Sequence, residues 1–151
     1  MVLVAGGAID PDANAQVAAT ARLLLEAGER PTVDVAFAST ARPGVGAALE
    51  RLVSQGVSRV AVARFFLGPG YLPQLVQKQA RAVQGVDVLM SEPLGASDEL
   101  AGVVLERVDE ALRGDVRMNC DVCLYRTPMP GLEHLVGAPQ EPHSHPDDPP
   151  V

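Results

Sequence analysis

Tryptophan is absent, aromatic residues make up 3% of the 151, and the 12 basic residues are outnumbered by 19 acidic ones. Each shortage closes off a class of function. A net charge of −7 without clustered Lys or Arg leaves nothing to neutralise a phosphate backbone, and so few rings leave nothing for bases to stack on. Nucleic acid is therefore not an expected partner. No apolar run approaches the roughly 20 residues of a membrane-spanning helix, so no membrane is expected either. The opening stretch MVLVAGG has neither a basic leader nor an apolar segment of signal-peptide length, which points to a cytoplasmic protein. Two cysteines are too few for a disulfide framework and turn attention to metal or redox chemistry. Histidine is missing from residues 1–114 altogether, so neither a hydrolytic triad nor a Cys–His nucleophile can be assembled there.

What the chain does have is a regular alternation. VLVA (2–5) reads as a buried strand ended by Gly6 and Gly7. Asp10 is placed to cap a helix with Pro11 in its first turn, and Val17, Ala21, Leu24 and Leu25 recur at helical spacing up to Gly28. Residues 32–38 predict a strand, 44–56 a helix, 59–67 a strongly apolar strand, 72–84 a helix, 86–90 a strand and 96–114 a helix capped by Ser97. Strands that are apolar throughout, alternating with helices, call for parallel pairing with both sheet faces covered. Right-handed crossovers then give an α/β fold with a doubly wound four-stranded parallel sheet over residues 1–114.

Residues 115–151 have a different character. Seven of the 13 prolines and all three histidines fall in this tail, which is expected to be largely irregular. Its MNCDVC stretch holds both cysteines, Cys120 and Cys123. Four readings stay open on the residues alone. Thioredoxin-type exchange fits poorly, because such motifs open a helix directly after a strand. Zinc needs four ligands, and Cys120, Cys123, His143 and His145 could supply a Cys₂His₂ set. The thiols could be small buried apolar groups, or ligands of an iron–sulfur cluster.

Within the domain, chemistry is expected at the carboxyl ends of the strands. The loop AGGAIDPDAN (5–14) sets two glycines before a helix N-terminus, and also reads simply as a tight turn. The loop FFLGPGYLP (65–73) forms a glycine-rich apolar lip that could accept a flat hydrophobic ligand, although Phe65 and Phe66 equally suit a core. Glu92 is the one carboxylate after the fourth strand and reads as solvated.

Together these segments resemble the CbiX/SirB family of class II chelatases, which insert cobalt or iron into sirohydrochlorin. The resemblance runs from VLVAGGAIDPDANAQV through ALERLVSQGVSRVAVARFFLGPGYLPQLV to the tail, where Met118, Cys120 and Cys123 match the MxCxxC of long family members and His143 and His145 their histidine-rich stretch. It implies a chelatase of cobalamin or sirohaem synthesis, a sirohydrochlorin-type tetrapyrrole as partner and cobalt or iron as the divalent metal substrate. A cleft wall of Gly6, Gly7, Phe66, Gly68, Gly70 and Tyr71 is then expected. The resemblance favours an iron–sulfur cluster on the two cysteines, shared across a homodimer, with zinc as the alternative. One departure limits the activity. Catalytic members carry histidines where this chain has Gly6 and Leu72, so no catalytic residue can be named and the chain looks like the second half of a long member, weak or inactive without a histidine-bearing partner half. A rival reading is a non-catalytic metal-handling or iron–sulfur redox-sensing module.

Overall fold

The computed structural model describes residues 1–28, 32–114 and 133–138. The chain divides into two compact units, Met1–Ala96 and Ser97–Val151. The first contains the whole sheet. Its strands are β1 (Val2–Ala5), β2 (Asp34–Phe37), β3 (Arg59–Arg64) and β4 (Asp87–Met90), and its helices are α1 (Pro11–Ala27), α2 (Val45–Ser54) and α3 (Tyr71–Ala82). The second contains α4 (Asp98–Leu112) and, among its described residues, a single 3₁₀ turn at Glu133–Leu135.

The strands run in the order β2-β1-β3-β4, every pair parallel. The crossover from β1 to β2 moves one way along the sheet, and those from β2 to β3 and β3 to β4 move the other way. Right-handedness therefore places α1 on one face and α2 with α3 on the other. This is the doubly wound arrangement the alternation predicts. Val2, Val4, Ala36, Val60 and Val62 point to the α2–α3 face, where Ala48, Leu49, Leu52, Val76 and Ala80 meet them in one buried cluster. Leu3, Ala5 and Phe37 are buried on the opposite face. Fully burying a side chain such as Leu49 contributes roughly 1.5–3 kcal/mol. A strand buried on both faces has no polar positions, which is why β1 reads as a continuous apolar run.

β4 differs. It is, like β2, an edge strand, and it alternates exposed with half-buried residues: Val88 and Met90 pack on the core while Leu89 is 48% exposed. β3 is also shorter than expected. The Phe66 amide donates to the Arg64 carbonyl at 3.0 Å, a tight turn that takes the chain off the sheet before the second phenylalanine. The caps are where the sequence puts them. Asp10 accepts from the Asp12 amide at 2.9 Å, and Ser97 accepts from the Leu100 amide at 3.2 Å.

Candidate functional site

The carboxyl edge of the sheet collects three loops. After β1, Asn14 on α1 closes its own loop: its Oδ1 accepts from the Ala8 amide at 3.0 Å while its Nδ2 donates to the Ala8 carbonyl at 2.8 Å. The loop after β2 lies against it. Ala38 and Ser39 amides donate to the Ala5 and Gly6 carbonyls at 2.9 and 3.0 Å. This contact dictates Gly7. Its φ is +87°, and a Cβ there would stand 2.1 Å from the Ser39 carbonyl oxygen. Gly7, expected on the cleft wall, is thus required by the packing of two loops whatever else it does.

Gly6 is open in a different way. Val4 pairs with Arg64 in register, and Gly6 and Phe66 lie close together just beyond the end of that pairing. A Cβ on Gly6 would lie 3.3 Å from Leu72 Cδ1 and 3.9 Å from Phe66 Cε1. The two positions at which the sequence resemblance expects histidine therefore touch, one from the first loop and one from the start of α3. Both are apolar here, and Phe66 and Leu72 pack half-buried on the core.

Beyond them the 65–72 loop stands open. Leu67 and Tyr71 are 67% and 75% exposed, and neither Gly68 nor Gly70 has any atom within 4 Å of where a Cβ would sit. The loop is tied from behind, with the Leu94 and Gly95 amides donating to the Phe66 and Leu67 carbonyls at 2.9 and 3.0 Å. Apolar side chains offered to solvent on a pinned loop make a surface suited to a flat, partly apolar ligand. Of the expected wall, Gly6, Phe66, Gly68, Gly70 and Tyr71 share this edge.

A polar group that the sequence reading missed lies beside them. Arg64, the last residue of β3, is 90% buried, with a side-chain exposure of 10%. Its Nε donates to the Ser91 carbonyl at 2.5 Å and an Nη to Glu92 Oε2 at 2.9 Å, while its amide donates to Ser91 Oγ at 3.0 Å. Glu92 itself is 91% exposed. The signal was present in the sequence as a cation inside the apolar run RVAVARFFL. Glu92, read as solvated, is solvated and also an ion-pair partner.

The expected metal ligands Cys120, Cys123, His143 and His145 lie outside the described residues. Among the described residues, no group of three or more His, Cys, Asp and Glu could hold a metal ion. No described helix is long and apolar enough to cross a membrane.

Residues 1–111 match the CbiX family model. The chain is 28% identical over 139 residues to a sirohydrochlorin cobaltochelatase of Priestia megaterium, covering 89% of this chain and 45% of that protein. It is 30% identical over 129 residues to a chloroplastic sirohydrochlorin ferrochelatase of Arabidopsis thaliana, covering 82% of this chain and 57% of that protein. The chain thus spans about half the length of these two relatives. In fold it is similar to the solved structure described as a cobalamin (vitamin B12) biosynthesis CbiX protein from Marinobacter aquaeolei VT8, with a TM-score of 0.58 at 23% identity, covering 74% of this chain and 95% of that one.

Proposed function

Because the chain belongs to the CbiX family, we propose that it is a sirohydrochlorin chelatase-type domain that inserts, or helps to insert, cobalt or iron into the tetrapyrrole. Its contribution is one wall of the cleft, built on Gly6, Phe66, Gly68, Gly70 and Tyr71 at the carboxyl edge of the sheet, with Gly7 fixing the loop. One observation carries this reading: the Gly6 Cβ position and Leu72 Cδ1 lie 3.3 Å apart across two loops. Insertion needs a group that takes up the pyrrole N–H protons and ligands that deliver the metal, both of which neutral imidazole supplies. Glycine and leucine supply neither. The wall therefore binds and orients the macrocycle, and a histidine-bearing half, in a second chain or elsewhere in a longer one, carries the proton and metal chemistry. The Priestia megaterium cobaltochelatase, of which the match covers 45%, supports such a second half.

The tail extends the proposal. Cys120 and Cys123 serve as thiolate ligands of an iron–sulfur cluster shared between two chains, since each chain offers two of the four thiolates a cluster commonly takes. His143 and His145 gather divalent metal. Anaerobic absorption with metal analysis tests this: iron with broad visible absorption that Cys120→Ser abolishes is expected, and a colourless protein with stoichiometric zinc would replace the cluster by a Cys₂His₂ site.

The cleft reading is tested by restoring what the site lacks. The double variant Gly6→His with Leu72→His should gain cobalt insertion by roughly 10²-fold or more over the unmodified chain, the scale of positioned acid–base catalysis. Leu72→His removes the Cδ1 that crowds a new side chain at Gly6, so the pair fits better than Gly6→His alone. Rapid insertion by the unmodified chain would sink the assignment of roles.

A further inference from the structure

A buried guanidinium normally has a buried counter-ion, because desolvating a charge without close compensation is costly. Arg64 breaks that pattern. Its side chain is 90% buried, yet the one carboxylate it reaches, Glu92, is 91% exposed and free to leave. Arg64 is anchored by the Ser91 carbonyl on Nε and by Glu92 on one Nη, and no described residue accepts from its other terminal nitrogen. Burial is therefore spent on holding a planar fork in one orientation, with half of that fork unused and the other half on a replaceable partner.

The placement gives this a meaning. Parallel register sets Val4 beside Arg64, and just past that pair the Gly6 Cβ position lies 3.9 Å from Phe66 Cε1. Arg64 thus ends β3 two residues before Phe66, with its guanidinium held toward β4 by Ser91 and Glu92. A macrocycle seated on the apolar Gly6–Phe66–Leu72 floor would carry its substituents over Arg64. The substrate proposed above bears acetate and propionate groups around its rim, and a carboxylate meets an Arg fork with two parallel charge-assisted hydrogen bonds.

We propose that Arg64 is the anchor for a peripheral carboxylate of the ligand, and that Glu92 is the resident carboxylate the ligand displaces. Arg64 sets the rotation of an acidic macrocycle in the cleft and discriminates against one without acid groups. The identity of the ligand rests on the tetrapyrrole reading; its negative charge rests on the Arg64–Glu92 geometry alone.

The test uses the full chain and two probes. Sirohydrochlorin is titrated by absorption, and tricarballylate, a small polycarboxylate with no macrocycle, is titrated by amide NMR. Tricarballylate should move the amides of Arg64, Ser91 and Glu92 saturably. Arg64→Met should abolish that response and weaken sirohydrochlorin about tenfold or more, the scale of losing a charge-assisted pair. Glu92→Gln should do the opposite and tighten both ligands, because it removes the competitor; a purely structural ion pair would give weaker binding or none of this. Arg64→Lys, which keeps the charge and loses the fork, should fall between and guards against misfolding of the methionine variant. Sirohydrochlorin binding unchanged in Arg64→Met and unimproved in Glu92→Gln, with no tricarballylate response, would overturn the anchor while leaving the tetrapyrrole reading intact. A tricarballylate response without sirohydrochlorin binding would keep the anchor and sink that reading. Silence from both probes would overturn both.

Discussion

Two adjacent glycines, Gly6 and Gly7, have opposite reasons to be glycine. Gly7 has none of the freedom its size suggests: with φ at +87° and the Ser39 carbonyl oxygen 2.1 Å from its Cβ position, any side chain collides with backbone. Gly7→Ala should therefore lose about 1–3 kcal/mol from backbone strain alone, and more from the clash, measured by chemical denaturation. Gly6 meets only the flexible end of Leu72 at 3.3 Å and the edge of Phe66, so Gly6→Ala should be close to neutral in the same measurement. At this scale the sequence was legible in part. GG after an apolar run announces a turn, but which glycine serves the turn and which serves the site depends on where the loop after β2 lies, and that loop is more than 30 residues away. Arg64 was obscured for a related reason. A cation inside an apolar run gives no local cue to its partners until the pairing of β3 with β4 brings Ser91 and Glu92 beside it.

Elements were the most legible level. Local signals fix them: Asp10 and Ser97 cap the helices they precede, and Pro11 opens α1. Ends were less so, because a turn such as the one at Phe66 is decided by a hydrogen bond that periodicity does not register. The start of α4 supplies a prediction of its own. Ser97→Ala removes the bond to the Leu100 amide and should cost about 1 kcal/mol of local helix stability, read as faster amide exchange over the first turn. Glu99 sits in that turn. A hydrogen bond from backbone amide and a second from Ser97 hold its carboxyl below the ordinary glutamate range. Its folded-state value is the lower one, so its support for α4 is present above the ordinary carboxylate range and is lost as pH falls through the depressed value. Exchange protection of the first turn should drop on acidification, and Glu99→Gln should flatten that dependence. On the sheet side, Leu49 has no exposure at all, and Leu49→Ala should cost about 2–5 kcal/mol of global stability in denaturant unfolding.

At the scale of the whole molecule, the proposed cleft wall has no imidazole of its own among residues 1–114. The doubly wound sheet assembles an apolar, open edge with an arginine at its flank, and it places no imidazole there. The family resemblance was readable because the tail motif and the Gly-Pro-Gly loop are local in sequence, whereas the contact between Gly6 and Leu72 depends on bringing together loops that lie 66 positions apart. The most direct measurement is a sirohydrochlorin titration of the full chain followed by absorption, with cobalt added once binding is complete. The account predicts a saturable spectral change on binding and little metallation on adding cobalt, with metallation appearing when a histidine-bearing CbiX half is supplied. A chain that binds no sirohydrochlorin, alone or with that half, or one that metallates it rapidly unaided, would contradict it.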